Sequence, residues 1–237
     1  MWHDEKVSLV WIVLNFQEAT SLRSSMKSIM RKEEQATTPH VAMGKRLAQV
    51  LSEIFNPLFV ALPTLLGIAR VSAPDLPHAL LWWVVAVLGV SIAPTLFVLR
   101  GVRSGRYTDH HVSVREQRLV PLLFGAACVV ITFILLLALH ASRPLIATMT
   151  AVIVVLLLAT LITRFWKISL HLVGITGAVT AYTLLFGPLF LFLSPLVLLV
   201  GWARWRVGAH TPWQAAAGVA LAVSLTTGIF WLWRIVP

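Results

Sequence analysis

The sequence predicts an all-α protein, a polytopic membrane helical bundle of about six to seven transmembrane helices. Three observations predict it. Hydrophobic residues fill 58% of the 237 positions and charged residues only 12%, whereas a soluble domain carries roughly a quarter charged. Apolar runs recur at lengths close to the roughly 20 residues that a helix needs to cross the hydrocarbon. The runs are continuous rather than alternating, which argues against a β-barrel.

The elements follow in order. Residues 1–49 read as a cytoplasmic or interfacial segment. Within it "VSLVWIVLNF" (7–16) is apolar but too short to span, and it lacks the basic flank and small-residue cleavage site of a signal peptide. "SLRSSMKSIMRKEEQATTPH" (21–40) is polar and predicts a helix lying at the surface. Residues 50–237 form the transmembrane domain, with seven predicted spans. They cover 54–71, 79–99, 119–141, 144–163, 168–186, 189–204 and 212–234. The apolar run 168–203 is too long for one crossing at about 1.5 Å per residue, and Gly187-Pro188 supplies a turn near its middle. Prolines stand at or near several helix starts, where their missing N–H costs nothing.

The net charge is +10. Nucleic acid is not the predicted partner, because no soluble module pairs basic residues with base-stacking aromatics. Membrane lipids explain the charge better. With the N-terminus on one side, only Arg70, Arg143 and Arg234 of the 19 Lys and Arg residues fall on the other. The positive-inside rule therefore places the N-terminus, and the loops after the second, fourth and sixth spans, in the cytoplasm. A cell-membrane, multi-pass location follows. The ten tryptophans sit mostly near the ends of apolar runs, as an interfacial belt does. Cys128, the single cysteine, lies inside a run and reads as packing.

The same predicted face gathers three polar segments. They are "TDHHVSVREQRLVP" (108–121), "KISLHLVG" (167–174) and "ARWRVGAHTPWQAAAG" (203–218). Arginine forks suit phosphate oxygens. A serine hydroxyl and helix N-terminal amides can hold further oxygens. Two histidines can divide the work of nucleophile and proton donor.

These segments resemble the three signature motifs of the type 2 phosphatidic acid phosphatase superfamily, over roughly residues 50–237. The family's third motif is S-R-x5-H-x3-D; this chain has Ala203, Arg204, His210 and Gln214 at its four positions, with Gly208 and Gly218 where many members have glycine. The second motif, P-S-G-H, is matched by Ile168-Ser169-Leu170-His171. The first, K-x6-R-P, aligns His111 with the lysine, Arg118 with the arginine and Leu119 with the proline. The resemblance implies a lipid phosphate phosphatase working through a phosphohistidine. His210 is then the nucleophile, His171 the general acid and base, and Gln214 the residue beside the nucleophile, where the family has an aspartate. Arg118, Arg204 and Ser169 bind the phosphate, with Arg115 and His111 as further contacts. The resemblance implies no cofactor and no metal. The substrate is a lipid phosphate of the phosphatidate, phosphatidylglycerol phosphate or polyprenyl phosphate type, whose tail is expected to meet only generic apolar helix faces.

Plainer readings stand beside each residue. Any one arginine can be a snorkelling anchor, Ser169 an N-cap, and His171 or His210 a hydrogen-bonded interfacial residue. Asp109, His110 and His111 have the composition of a metal cluster, though adjacent loop histidines are a weak sign of one. A decayed, non-enzymatic relative of the phosphatases is the main alternative, favoured by Gln214. A membrane polyprenyl transferase of the aspartate-rich type fits poorly, because the three aspartates Asp4, Asp75 and Asp109 are far apart in sequence.

Overall fold

The computed structural model describes Met26 and residues 39–112 and 114–235, with the side chains of the first helix described from Met43 onward. The predicted features at 7–16 and 21–38 lie outside those residues, Met26 apart. The chain divides into Met1–Arg46 and Leu47–Pro237.

The described elements are helical, with no strand among them. They are α1 (Pro39–Ile54), α2 (Pro57–Ser72), α3 (Leu76–Val87), α4 (Ala93–Arg103), α5 (Leu119–Ala138), α6 (Arg143–Phe165), α7 (Leu170–Phe186), α8 (Ser194–Arg206) and α9 (Pro212–Leu232). All seven segments expected to span are helical. Five helices are long and apolar enough to cross a membrane: Leu76–Arg103, Arg115–Ala138, Arg143–Phe165, Pro188–Arg206 and Pro212–Leu232. A sixth is reached if Met43–Ile54 and Pro57–Ser72, bent by 45°, make one broken span. The remaining segment, α7, has 17 residues, short of the usual crossing length. The protein is a multi-pass membrane protein.

Local chemistry explains the helix starts. Asn56 Oδ1 accepts the Leu58 N–H at 3.1 Å, with Pro57 in the first turn. Asp75 accepts the His78 N–H at 2.9 Å. Thr211 and Gln214 form a reciprocal capping box at the head of α9, which satisfies two backbone donors that the helix leaves free. Helices α3 and α4 are joined by a π-helical turn at Leu88–Ile92. Its Ser91 hydroxyl donates to the Leu58 carbonyl at 2.8 Å and ties the turn to α2.

Helices α6 and α7 lie inside the bundle. Half of the most apolar window of α6 is buried, and α7 packs on α9, α2, α8 and α6. One core cluster joins Leu65, Trp82, Leu136, Leu145, Met149 and Phe230; a smaller one joins Leu172, Ile175 and Val200. The outer helices turn large apolar side chains outward, as at Leu189 and Leu198, each 76% exposed. Water would make such a surface a liability, but lipid tails do not. Trp205 and Trp213 lie exposed at one end of this body and Trp231 toward the far end of α9, as a two-sided aromatic belt requires.

Helices α7 and α9 approach each other closely at their heads. A Cβ on Gly218 would stand 2.9 Å from the Ser169 carbonyl oxygen and 3.2 Å from the Leu172 Cβ. Only glycine fits there without moving backbone. This contact fixes the heads of α7 and α9, which carry Ser169, His171 and Gln214, against one another.

Candidate active site

Five polar side chains are buried at one end of the bundle. Arg118 is 6% exposed, Arg204 5%, His171 6%, His210 5% and Ser169 0%. They come from the approach to α5, the head of α7, the tail of α8 and the turn before α9. Sequence separation hides this grouping, and helix packing makes it. Arg118, His171, Arg204 and His210 line one cavity of about 310 Å³, together with His110 and His111.

Backbone geometry aims each group. At the end of α8 the Arg204 carbonyl accepts the N–H groups of Ala209 at 3.0 Å and His210 at 3.3 Å. Gly208 takes φ +72° in that turn, a left-handed conformation that favours glycine. The turn brings His210 back over Arg204. Arg118 Nε donates to the Val112 carbonyl at 2.8 Å, which fixes the guanidinium while leaving its terminal nitrogens to the cavity. Ser169 occupies the N-cap position of α7, but its side chain makes no capping bond. Its hydroxyl is buried without a partner among the described residues, and so is the Arg204 Nε. Ser169 is thus an N-cap by position and not by a side-chain bond.

The two histidines are held differently. His210 Nδ1 lies 3.3 Å from Gln214 Oε1. An amide oxygen only accepts, so Nδ1 carries the proton and Nε2 keeps its lone pair. Gln214 Oε1 also accepts the Thr211 N–H at 3.1 Å, so the capping box orients the histidine. His171 Nε2 donates to the Ser52 carbonyl at 3.1 Å, which leaves Nδ1 as its free nitrogen.

Charge at this mouth is one-sided. Among the described residues neither Arg118 nor Arg204 has a carboxylate within ion-pair distance. Asp109 acts on both guanidinium groups from further off, and Glu53 on Arg204. Burial, and then Arg118 and Arg204, push the Lys167 ammonium below its ordinary value. Burial first, then Arg204, Lys167 and Arg118, hold His210 down at about 3. Its imidazole is neutral at pH 7 and nucleophilic. A site with two buried guanidinium ions, a nearby ammonium and spare hydroxyl and N–H donors is built for an anion.

The other expected residues fall less centrally. His111 lines the cavity, but its Nε2 is engaged by Glu53 Oε1 at 2.8 Å. Burial pushes this histidine down, and the Glu53 hydrogen bond opposes that. Arg115 is not among the cavity residues. It bonds the Phe165 carbonyl at 3.2 Å and Glu116 at 3.3 Å from a partly exposed position. Sequence reading missed Ser52 and Glu53, which have no motif around them. It also missed the capping box, although "TPWQ" is a readable T-x-x-Q signal.

The His210 environment has a measurable consequence. The unfolded chain takes up a proton near pH 6.5, whereas the folded site refuses it until about pH 3. The unfolded state therefore binds more protons between those values, so stability falls as pH drops through that window. Thermal unfolding in detergent should show full stability above about pH 6.5 and a declining melting temperature toward pH 4. His210→Asn should flatten that decline, and an unchanged slope would show that His210 is not held neutral.

No family model matches this chain, and neither the curated proteins nor the solved structures contain a match. What the site does must be read from its own chemistry.

Proposed function

We propose that the protein is a lipid phosphate phosphatase of the membrane, working through a phosphohistidine at His210. One observation carries this reading. The cavity that holds Arg118, Arg204, His171 and His210 at its mouth continues between apolar helices as far as Leu65, Val129, Ala181 and Phe230. At about 1.5 Å per residue, Phe230 stands roughly 27 Å along α9 from its first turn. A cationic mouth on a long apolar interior fits an amphiphile with a phosphate head and a hydrocarbon tail. The expected apolar helix faces for the tail are, in this reading, those that line the cavity.

The proposed chemistry uses residues already in place. Arg118 and Arg204 clamp phosphoryl oxygens, and Ser169 with the Arg204 Nε offers donors that otherwise lack partners. The free Nδ1 of His171 takes the proton of the phosphate monoanion, His210 Nε2 attacks phosphorus, the P–O bond to the lipid alcohol breaks, and His171 passes that proton to the leaving alkoxide. Water then attacks the phosphohistidine and gives a proton to His171, the N–P bond breaks, and inorganic phosphate leaves. Developing charge is met by the guanidinium groups. Gln214 keeps the Nδ1 proton of His210 in place and accepts its hydrogen bond as the ring becomes cationic. A cytoplasmic site follows from the distribution of Lys and Arg.

The central test is covalent trapping. Incubation with a radiolabelled lipid phosphate and an alkaline detergent quench should leave an alkali-stable, acid-labile phosphoenzyme in the wild type and none in His210→Ala. Tight binding of the lipid phosphate without phosphoenzyme or phosphate release would make the protein a binder rather than an enzyme, as the absence of an acid at 214 would favour.

Gln214 gives a second test. Gln214→Glu keeps the side-chain length and the bonds to Thr211 and His210, and adds the charge that stabilises an imidazolium. It should retain kcat within about tenfold, whereas Gln214→Ala should lose about 10–100-fold because tautomer and orientation are released. Equal loss in both would mean that the amide group itself is required.

The cavity gives a third. Gly125 lines it, and a Cβ there would have no atom within 4 Å. Gly125→Leu should therefore fold normally yet fill the tail channel. It should raise KM severalfold for long-chain lipid phosphates and leave short-chain substrates unaffected. An identical shift for all chain lengths would place the tail elsewhere.

A further inference from the structure

Outside the arginine and histidine pair of the proposed reaction, one cluster at the cavity rim has the composition and spacing of a ligand set. Glu53 lies in the last turn of α1, and His110 and His111 lie in the loop before α5. Both imidazoles aim Nε2 at the same carboxylate. His110 Nε2 is 3.1 and 3.3 Å from its two oxygens, and His111 Nε2 is 2.8 Å from Oε1. One donor atom from each of the three lies within 4.8 Å of the others. The two rings sit 4.1 Å apart, tilted by 40°. In a tetrahedral zinc site with bonds of about 2.0–2.1 Å, neighbouring donor atoms stand roughly 3.3 Å apart. The nitrogen–oxygen edges seen here fall at or just inside that spacing, as expected when two N–H···O hydrogen bonds fill the place of an ion.

We propose that Glu53, His110 and His111 form a binding site for one zinc-class transition-metal ion at the rim of the cavity. The ligand types select the metal. Two imidazoles and one carboxylate suit zinc and its first-row neighbours, while calcium and magnesium prefer all-oxygen shells. Binding needs no net loss of protons from the neutral rings. Each imidazole hydrogen moves from Nε2 to Nδ1, and the freed Nε2 lone pair goes to the metal. Three protein ligands leave a fourth position for water or an anion.

The loop that carries the pair is braced for this task. Asp109 Oδ1 accepts the His111 N–H at 2.8 Å, and Gln117 Oε1 accepts the Thr108 N–H at 3.1 Å. Val112, next in the chain, has φ +47°, an outlier for a β-branched residue. It holds Arg118 through its carbonyl. His111 also meets His171 edge-on, with ring centroids 5.5 Å apart. The ion would join α1 to this loop and stand beside the anion-binding mouth. A contrasting pair shows what an ordinary contact looks like. His78 and Asp75 are three residues apart at the head of one helix, with no third ligand.

The inference is independent of phosphatase activity, because it is decided by metal binding alone. The untagged full-length protein in detergent is stripped with EDTA, desalted and titrated with Co²⁺, then with Zn²⁺. The expected result is one Co²⁺ per chain, with the visible absorption of a four-coordinate ion that Zn²⁺ displaces. Glu53→Gln and His110→Ala, both at half-exposed positions, should elute as the wild type does and bind at least tenfold more weakly. His78→Ala should bind as the wild type does. Absence of stoichiometric Co²⁺ binding in the wild type, or equal binding by both rim variants, would overturn the proposal.

Discussion

Arg118 and Arg204 place two guanidinium ions at the ends of membrane helices with 6% and 5% of their surface exposed, and no carboxylate among the described residues pairs with either. Removing a charge from water costs several kcal/mol unless something replaces the solvent. Here the protein offers partial relief only. One guanidinium bonds a backbone carbonyl, and the carboxylates of Asp109 and Glu53 act from a distance. Burial first, and then the same positive field, holds His210 neutral. An incoming anion would therefore relieve Arg118, Arg204 and Lys167 together. Snorkelling, the ordinary role of arginine at a helix end, would have turned these side chains out to the headgroups.

That arrangement depends on helix ends being held to within a fraction of an ångström. Gly218 allows the head of α9 to reach the Ser169 carbonyl. The Ser169 N–H points back to the Gln214 carbonyl at 3.4 Å. The capping box then fixes Gln214 Oε1, and through it the tautomer of His210. Fold and site are the same object here. A helix start that would be needed in any membrane protein also orients the proposed nucleophile. At this position an amide oxygen supplies the acceptor that the His210 Nδ1–H needs, without the charge that a carboxylate would add.

Much of the fold was legible in the sequence, because the bilayer imposes a length and a polarity that composition must obey. The split of 168–203 at Gly187-Pro188 is where the chain leaves α7. Of the site, Arg118, His171, Arg204 and His210 are brought to one cavity, while Ser169 is buried at the head of α7 and is not among the residues that line it. Arg115 does not line that cavity and bonds the Phe165 carbonyl from a partly exposed position. Glu53 and Ser52 were illegible for a different reason. A lone acid and a backbone carbonyl leave no pattern, and only the packing of α1 beside the loop gives them partners 57 and 119 residues away. The π turn at Leu88–Ile92 was equally silent. Its extra residue does not interrupt an apolar run, yet it puts Val90 into the cavity wall.

The cavity ties these threads together through solvation. An apolar channel wall is suited by close contact with hydrocarbon, and a cationic mouth by an anion. No simple solute supplies both: a free phosphate suits the mouth and not the channel, and a hydrocarbon does the reverse. An amphiphile supplies both at once, and its two ends are then bound by terms of different kind. The head is held by charge-assisted hydrogen bonds that weaken as salt screens the mouth. The tail is held by close contact, which salt does not weaken. A ligand bound this way keeps its chain in place while the phosphate's contacts are broken and remade, and that is the condition under which a headgroup can be cut from a lipid that never leaves the membrane.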